Sequence, residues 1–223
     1  MGKIRGLLLD IDGTLVDSND AHAYAWVEAF RRNGYEASFE QVRPLIGMGA
    51  DNLLPKVVNV KGDSPEGKRL SKSWEEIFKS EYLPKLKPFP GSEELVRHIR
   101  DRGLKLVVAT SAEEEMLKPL LDVAGIDGLI EDKTTSSDAQ NSKPDPDIVR
   151  TALDKTGLAA SEVLMLGDTP YDIESARKAG VGVIALRCGG WSDPDLKGAV
   201  AIYNDPADLL AHYDESPLGG PKP

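Results

Sequence analysis

Cysteine is almost missing from this chain: Cys188 stands alone among 223 residues, so no internal disulfide is available and packing must hold the fold. Aromatic residues are also few, at 6 %. No apolar run approaches the roughly 20 residues that cross a bilayer, so a soluble chain with no membrane partner is expected. Basic charge is short as well. Twenty-seven Lys and Arg against thirty-seven Asp and Glu leave a net charge of −10, the wrong sign for non-specific attraction to nucleic acid or anionic lipid. Met1-Gly2-Lys3-Ile4-Arg5 lacks the long apolar segment of a secretory signal, and with a lone cysteine the expected compartment is the reducing cytoplasm. The length allows one large domain, or a core plus a small insertion, and sets no oligomeric state.

What the chain does contain is Leu7-Leu8-Leu9-Asp10-Ile11-Asp12-Gly13-Thr14, an apolar run that ends in two carboxylates one residue apart and then turns. Such a run reads as a buried parallel strand, and the carboxyl end of such a strand is where open α/β sheets bind ligands. Alternate side chains of an extended chain share a face, so Asp10 and Asp12 come close. Two like charges at that spacing call for a cation, or for one carboxyl that stays protonated and works as an acid.

Downstream, Ala21 to Arg32 carries Tyr24, Val27 and Phe30 at helical spacing. Ser38-Phe39-Glu40-Gln41 is a capping box for a second helix ending near Gly47-Met48-Gly49, and a third spans Asp51 to Val58. Ser64-Pro65 opens a fourth that reaches about Tyr82, before Pro84, Pro88 and Pro90 break the chain. From Ser92 helices and strands alternate: helix to Arg102, strand Leu104 to Ala109, helix Glu113 to Ala124, a short strand at Leu129-Ile130, and a helix from Asp145-Pro146 to Thr156. Then come strand Val163 to Leu166, helix Tyr171 to Ala179, strand Val181 to Leu186, strand Ala199 to Tyr203 and a last helix from Asp205-Pro206. This alternation predicts an α/β fold, a Rossmann-like doubly wound parallel sheet. Its core is residues 1–17 and 88–223, an inserted helical cap occupies 18–87, and the Gly- and Pro-rich tail 216–223 is expected to be disordered.

Strand Val163 to Leu166 also ends in carboxylates, Asp168 and then Asp172 at the start of a helix. Neighbouring parallel strands bring their carboxyl ends together, so Asp10 and Asp168 can share a hard cation that takes oxygen ligands. Thr110 and Ser111 follow a strand and precede a helix, where a hydroxyl and free backbone N–H groups suit an anion. Lys143 lies in the loop Asn141-Ser142-Lys143-Pro144, in which the proline restricts the residue before it.

Taken in order, Asp10-Ile11-Asp12-Gly13-Thr14, Thr110, Lys143 and Gly167-Asp168 with Asp172 resemble the four motifs of the haloacid dehalogenase superfamily. Asp17-Ser18, His22, Trp26, Phe30 and the small helical insertion resemble its phosphoglycolate phosphatase and β-phosphoglucomutase branch. The resemblance implies bound Mg²⁺ and phosphoryl transfer through an aspartyl phosphate. It makes Asp10 nucleophile and metal ligand, and Asp12 the general acid and base with its backbone carbonyl on the metal. Asp168 becomes a direct ligand, Asp172 a residue acting through water or through Lys143, and Thr110, Ser111 and Lys143 the grip on the phosphoryl oxygens. Charge balance agrees: with Asp12 protonated, Mg²⁺ and Lys143 offset the other three carboxylates.

The resemblance thus implies a Mg²⁺-dependent phosphatase for a small phosphorylated metabolite. A sugar-phosphate mutase is the alternative; Ala50 stands where mutases carry an arginine and phosphonate-cleaving relatives a lysine, leaving Arg43 or Lys56 as substitutes, while His22 resembles a mutase hinge histidine. From other classes, a receiver domain also pairs acids with Thr and Lys, and a non-catalytic phosphate-binding protein also keeps the fold. The insertion argues against the receiver, and the full set of expected catalytic residues against the binding protein.

Overall fold

The computed structural model describes residues 3–130 and 132–219. Strand β1 (Gly6–Leu9) is followed by helices α1 (Asn19–Arg32), α2 (Phe39–Val42), α3 (Ala50–Val58) and α4 (Pro65–Ile77). Helix α4 runs on through a π-helical turn, Phe78–Tyr82, and a 3₁₀ turn, Leu83–Lys85. Then come α5 (Ser92–Asp101), β2 (Lys105–Ala109), α6 (Glu114–Ala124), β3 (Asp132–Thr134), α7 (Asp147–Thr156) and β4 (Val163–Gly167). The chain continues through α8 (Pro170–Lys178), β5 (Gly182–Leu186), β6 (Ala201–Tyr203) and α9 (Pro206–Ala211).

The strands form one sheet in the order β3-β2-β1-β4-β5-β6, every neighbouring pair parallel. Strand β1 lies inside it, with Leu9 opposite both Val108 and Leu166. Its unbroken leucine run reflects burial on both faces. Leu7 and Leu9 pack with Leu95, Ile99, Leu120 and Leu121 of α5 and α6, while Leu8 packs with Ile148, Val149 and Ala152 of α7 and Ile173 of α8. The order of strands reverses between β1 and β4, and at that switch point the two carboxyl ends open onto a crevice.

The helices between β1 and α5 have an apolar cluster of their own, in which Ala23, Trp26 and Phe30 of α1 meet Val42, Ile46, Leu53, Leu54 and Leu70. The segments leading out of the core and back into it lie side by side. The Asp17 amide donates to the Lys87 carbonyl at 3.0 Å, the Phe89 amide donates to the Leu15 carbonyl at 2.9 Å, and Val16 bridges antiparallel to Pro88.

Three expectations are corrected. Helix α2 keeps its capping box but stops at Val42 rather than near Gly47, because Pro44 has no N–H for the next helical bond and its ring displaces the preceding turn. The chain there tightens into a 3₁₀ turn, Arg43–Leu45. Leu129 belongs to a 3₁₀ turn packed on the core, and pairing with β2 begins only at the polar Asp132–Thr134. Its hydrophobicity marks burial, not a strand. Part of the supposedly disordered tail is packed: Leu218 is 5 % exposed in the core, and Ser216 Oγ donates to the Tyr213 carbonyl at 2.6 Å and accepts from the Leu218 amide at 3.1 Å. Residues 220–223 of that tail lie outside the described residues. Among the described residues no helix is long and apolar enough to cross a membrane.

Candidate active site

At the switch point β1 delivers Asp10 and β4 delivers Asp168, while the first turn of α8 delivers Asp172. All three are buried, and one carboxylate oxygen from each lies within 4.8 Å of the others. Asp172 is fixed by a capping box: its amide donates to Thr169 Oγ1, and its Oδ2 accepts from the Thr169 amide and hydroxyl at 3.0 and 2.7 Å. Lys143, 1 % exposed, reaches into the cluster from the loop before α7, with Nζ 2.6 Å from Asp10 Oδ1 and 2.8 Å from Asp172 Oδ1. Thr14 donates to Asp10 Oδ2 at 2.8 Å, and its distance to Asp168 Oδ1 is 3.0 Å, so one hydroxyl links two carboxylates.

One ammonium among three buried carboxylates leaves negative charge uncompensated. Burial, with Asp10 and Asp172 nearby, pushes the Asp168 carboxyl well above its ordinary range; burial also pushes Asp10 up, against the pull of Lys143. Burial alone would lower the Lys143 ammonium, but Asp10 and Asp172 override it and hold the group above its ordinary value. A set of buried carboxylate oxygens with this deficit fits a hard divalent cation such as Mg²⁺.

Asp12 departs from expectation. Burial favours its neutral form, but the His22 ring and the Ser18 hydroxyl prevail and hold its carboxyl below the usual range. His22 Nε2 lies 2.8 Å from Asp12 Oδ1, and Ser18 Oγ donates to the same oxygen at 2.5 Å instead of capping α1. Burial pushes all three carboxyls toward the neutral form, but it prevails only at Asp10 and Asp168. The reason is His22, 7 % exposed and stacked on Phe78 at 4.1 Å, which α1 carries back over the strand end.

Above the carboxylates opens a cavity of about 550 Å³. Its floor includes Asp10, Asp12, Thr110 and Ser111, and its other wall is helical: His22, Ala50, and Lys68, Ser71, Lys72 and Glu75 on one face of α4. Thr110 Oγ1 accepts from the Ala112 amide at 3.1 Å, which leaves its proton to donate. The Ser111 hydroxyl is buried and has no partner among the described residues. Neither suggested substitute for the arginine reaches the cavity: Arg43 donates to Asp20 Oδ1 at 2.5 Å and to the Gly189 carbonyl at 2.6 Å, and Lys56 is exposed elsewhere on α3. Sequence reasoning named Ser18 only within the branch resemblance, without a role at the site, and missed Asn19 and the face of α4. The only signal for the last is the spacing of Lys68 and Lys72 one turn apart, which reads equally as a solvated surface.

The loop after β5 closes the far side. A Cβ on Gly189 would stand 1.8 Å from Asp168 Oδ2, and one on Gly13, at φ +75°, would stand 2.0 Å from Asn19 Nδ2, so both positions exclude a side chain.

Comparison with known proteins agrees with this geometry. The family model described as haloacid dehalogenase-like hydrolase matches residues 7–186. The chain is 30 % identical over 216 residues to a phosphoglycolate phosphatase of Aquifex aeolicus, covering 95 % of this chain and 97 % of that one. It is 32 % identical over 195 residues to the chloroplastic protein Suppressor of Quenching 1 of Arabidopsis thaliana; the match covers 83 % of this chain but only 18 % of that much longer protein. Among solved structures, a hydrolase from Pseudomonas syringae superposes with a TM-score of 0.87 at 28 % identity, covering 95 % of this chain and 98 % of the other. The chain belongs to the haloacid dehalogenase-like hydrolase family.

Proposed function

We propose that this protein is a Mg²⁺-dependent phosphatase that hydrolyses small phosphorylated metabolites through a phosphoryl group carried on Asp10, with residues 18–87 as a lid over a core made of 1–17 and 88–223. The observation that carries this reading is the buried cluster of Asp10, Asp168, Asp172 and Lys143, whose Asp10 lines the floor of a cavity wide enough for a sugar-sized ester.

Asp10 Oδ1 and Oδ2 each take one donor, Lys143 and Thr14, which fixes the carboxylate and leaves lone pairs for attack on phosphorus. As the P–O bond to the leaving alcohol breaks, a proton held by the Asp12–His22 pair passes from Asp12 to the departing oxygen. The same carboxylate then takes a proton from the water that attacks the acyl phosphate. Inorganic phosphate leaves, and Asp10 is regenerated. Lys143 and the Thr110 hydroxyl are placed to hold equatorial phosphoryl oxygens, and the Asp172 carboxylate orients the Lys143 ammonium. Asp10, Asp168 and the Asp12 carbonyl would hold Mg²⁺, with Asp172 behind them, and the ion would supply neutralising charge and polarise the phosphoryl oxygens.

Hydrolysis is favoured over sugar-phosphate mutation because Ala50 leaves the arginine position empty of charge and Arg43 is engaged with Asp20 and Gly189. The test is a panel of phosphorylated sugars, phosphoglycolate, nucleotides and p-nitrophenyl phosphate with Mg²⁺, scored for free phosphate and for isomerised product. Free phosphate that disappears with chelator and in Asp10→Asn is expected. Isomerised product without phosphate, or no turnover of any ester, overturns the reading.

A further inference from the structure

Asn19 is the first residue of α1 and so the first helical residue of the insertion, yet it is only 3 % exposed and its side chain turns back into the core. Its Nδ2 donates one hydrogen to Asp168 Oδ2 at 2.9 Å and the other to the Gly189 carbonyl at 3.1 Å. Only the NH₂ end of the amide suits these two acceptors; turned over, its carbonyl oxygen would meet a carboxylate and another carbonyl. Asn19 Oδ1 is buried and takes no hydrogen bond from any described residue, so Asp168 and Gly189 alone fix the amide. Two glycines make the room for it, since a side chain at Gly13 would strike Asn19 Nδ2 and one at Gly189 would strike Asp168.

We propose that Asn19 is a positioning residue for Asp168, holding that carboxylate in register with Asp10 for a divalent cation and tying the metal site to the first turn of the lid. The inference rests on the metal reading of the site given above. Thr14 has one hydroxyl proton and gives it to Asp10, so among the described residues the Asn19 amide on Oδ2 is the donor that fixes the rotation of the Asp168 carboxylate, and it still leaves lone pairs for an ion. Donors behind a ligating carboxylate orient it, and their loss costs about 10–100-fold in metal affinity or activity. In Asn19→Ala the Asp168 carboxylate loses that donor and can rotate beside the cluster.

The experiment measures Mn²⁺ binding to the substrate-free protein by electron paramagnetic resonance, for the unmodified chain, Asn19→Ala, Asn19→Ser and Asp168→Ala. Asn19→Ala is expected to raise the Mn²⁺ dissociation constant by about 10-fold or more. At saturating metal its kcat returns toward that of the unmodified enzyme, and Asn19→Ser, which restores one donor, falls between. A residue that only supported the lid would raise the substrate KM and leave the metal constant alone. Asn19→Ala binding Mn²⁺ like the unmodified chain, while Asp168→Ala does not, overturns this inference and spares the metal reading. Equal binding by the unmodified chain and Asp168→Ala overturns both. If the Asn19 variants fail to fold, ¹⁵N spectra of the unmodified protein decide instead: the Asn19 side-chain NH₂ signals move on Mg²⁺ addition if it acts on the site, and their indifference overturns the proposal.

Discussion

The floor of the cavity and its roof are built on opposite principles. At the floor and just beneath it Asp10, Asp168, Asp172 and Lys143 are buried, and each is fixed by charge or by hydrogen bonds to groups on other strands and loops. On the roof Lys68 and Lys72 are exposed side chains of α4, and neither forms an ion pair with a described residue. Fixed charges in a dry site act on the reacting atoms, whereas loosely held ones on a helix face meet the part of the substrate that varies. Floor residues should therefore control rate whatever the ester, and roof residues should control which ester binds.

The sharpest break in that contrast is at the nucleophile. Asp10→Asn is expected to lower kcat on the order of 10⁴-fold or more for every ester, measured by phosphate release, with the fold intact by circular dichroism. An ester that survived the change would end the division of labour.

Asp12→Asn should cost about 10²–10⁴-fold. The loss should be larger for alkyl phosphates than for p-nitrophenyl phosphate, whose leaving group needs no proton. Equal losses remove Asp12 from proton transfer and leave it a partner of His22.

Lys143→Met removes the ammonium that lies between Asp10 and Asp172, leaving buried carboxylates uncompensated. Breaking a buried pair by removing one partner costs about 3–5 kcal/mol of stability, so the melting temperature should fall along with activity. Added Mg²⁺ should recover part of the stability, because a cation that binds only the folded chain stabilises it.

The smallest effects belong to the roof. Lys68→Ala and Lys72→Ala should change KM by less than about 10-fold, in a substrate-dependent way, with kcat for p-nitrophenyl phosphate nearly constant, since single exposed charges contribute within about 1 kcal/mol. A fall in kcat across all esters would place α4 in the chemistry and erase the contrast.

The same contrast explains what could be read from the sequence. Most groups at the floor and beneath it were legible because they end a strand or open a helix: Asp10 after Leu7-Leu8-Leu9, Thr110 after β2, Asp168 after β4, and Asp172 three residues beyond its cap Thr169; Lys143, in a loop, was legible only in their company. A sheet gathers such ends whatever lies between them. Asn19 and the contact that Ser18 makes were not legible. In sequence they are ordinary residues at a helix start, and only the return of α1 over the strand end brings them to Asp168 and Asp12, 149 and 6 positions away. The pull on the Asp12 carboxyl was hidden for the same reason, because it comes from a ring ten positions along whose placement is set by stacking on Phe78. The edge strand β3 was displaced because its pairing residues are polar and its hydrophobic neighbours belong to a turn.

The paired segments at Leu15–Asp17 and Lys87–Phe89 carry one more consequence. Exit and entrance are clasped to each other, so the core presents a ready-made socket whose two contacts do not depend on how much polypeptide is plugged into it. The entropy of closing a flexible loop grows only as the logarithm of its length, about 0.6 kcal/mol per doubling. A longer, shorter or wholly different insert can thus be exchanged at this socket while the strands beneath keep their pairing, and new leaving groups can be tried without rebuilding the chemistry.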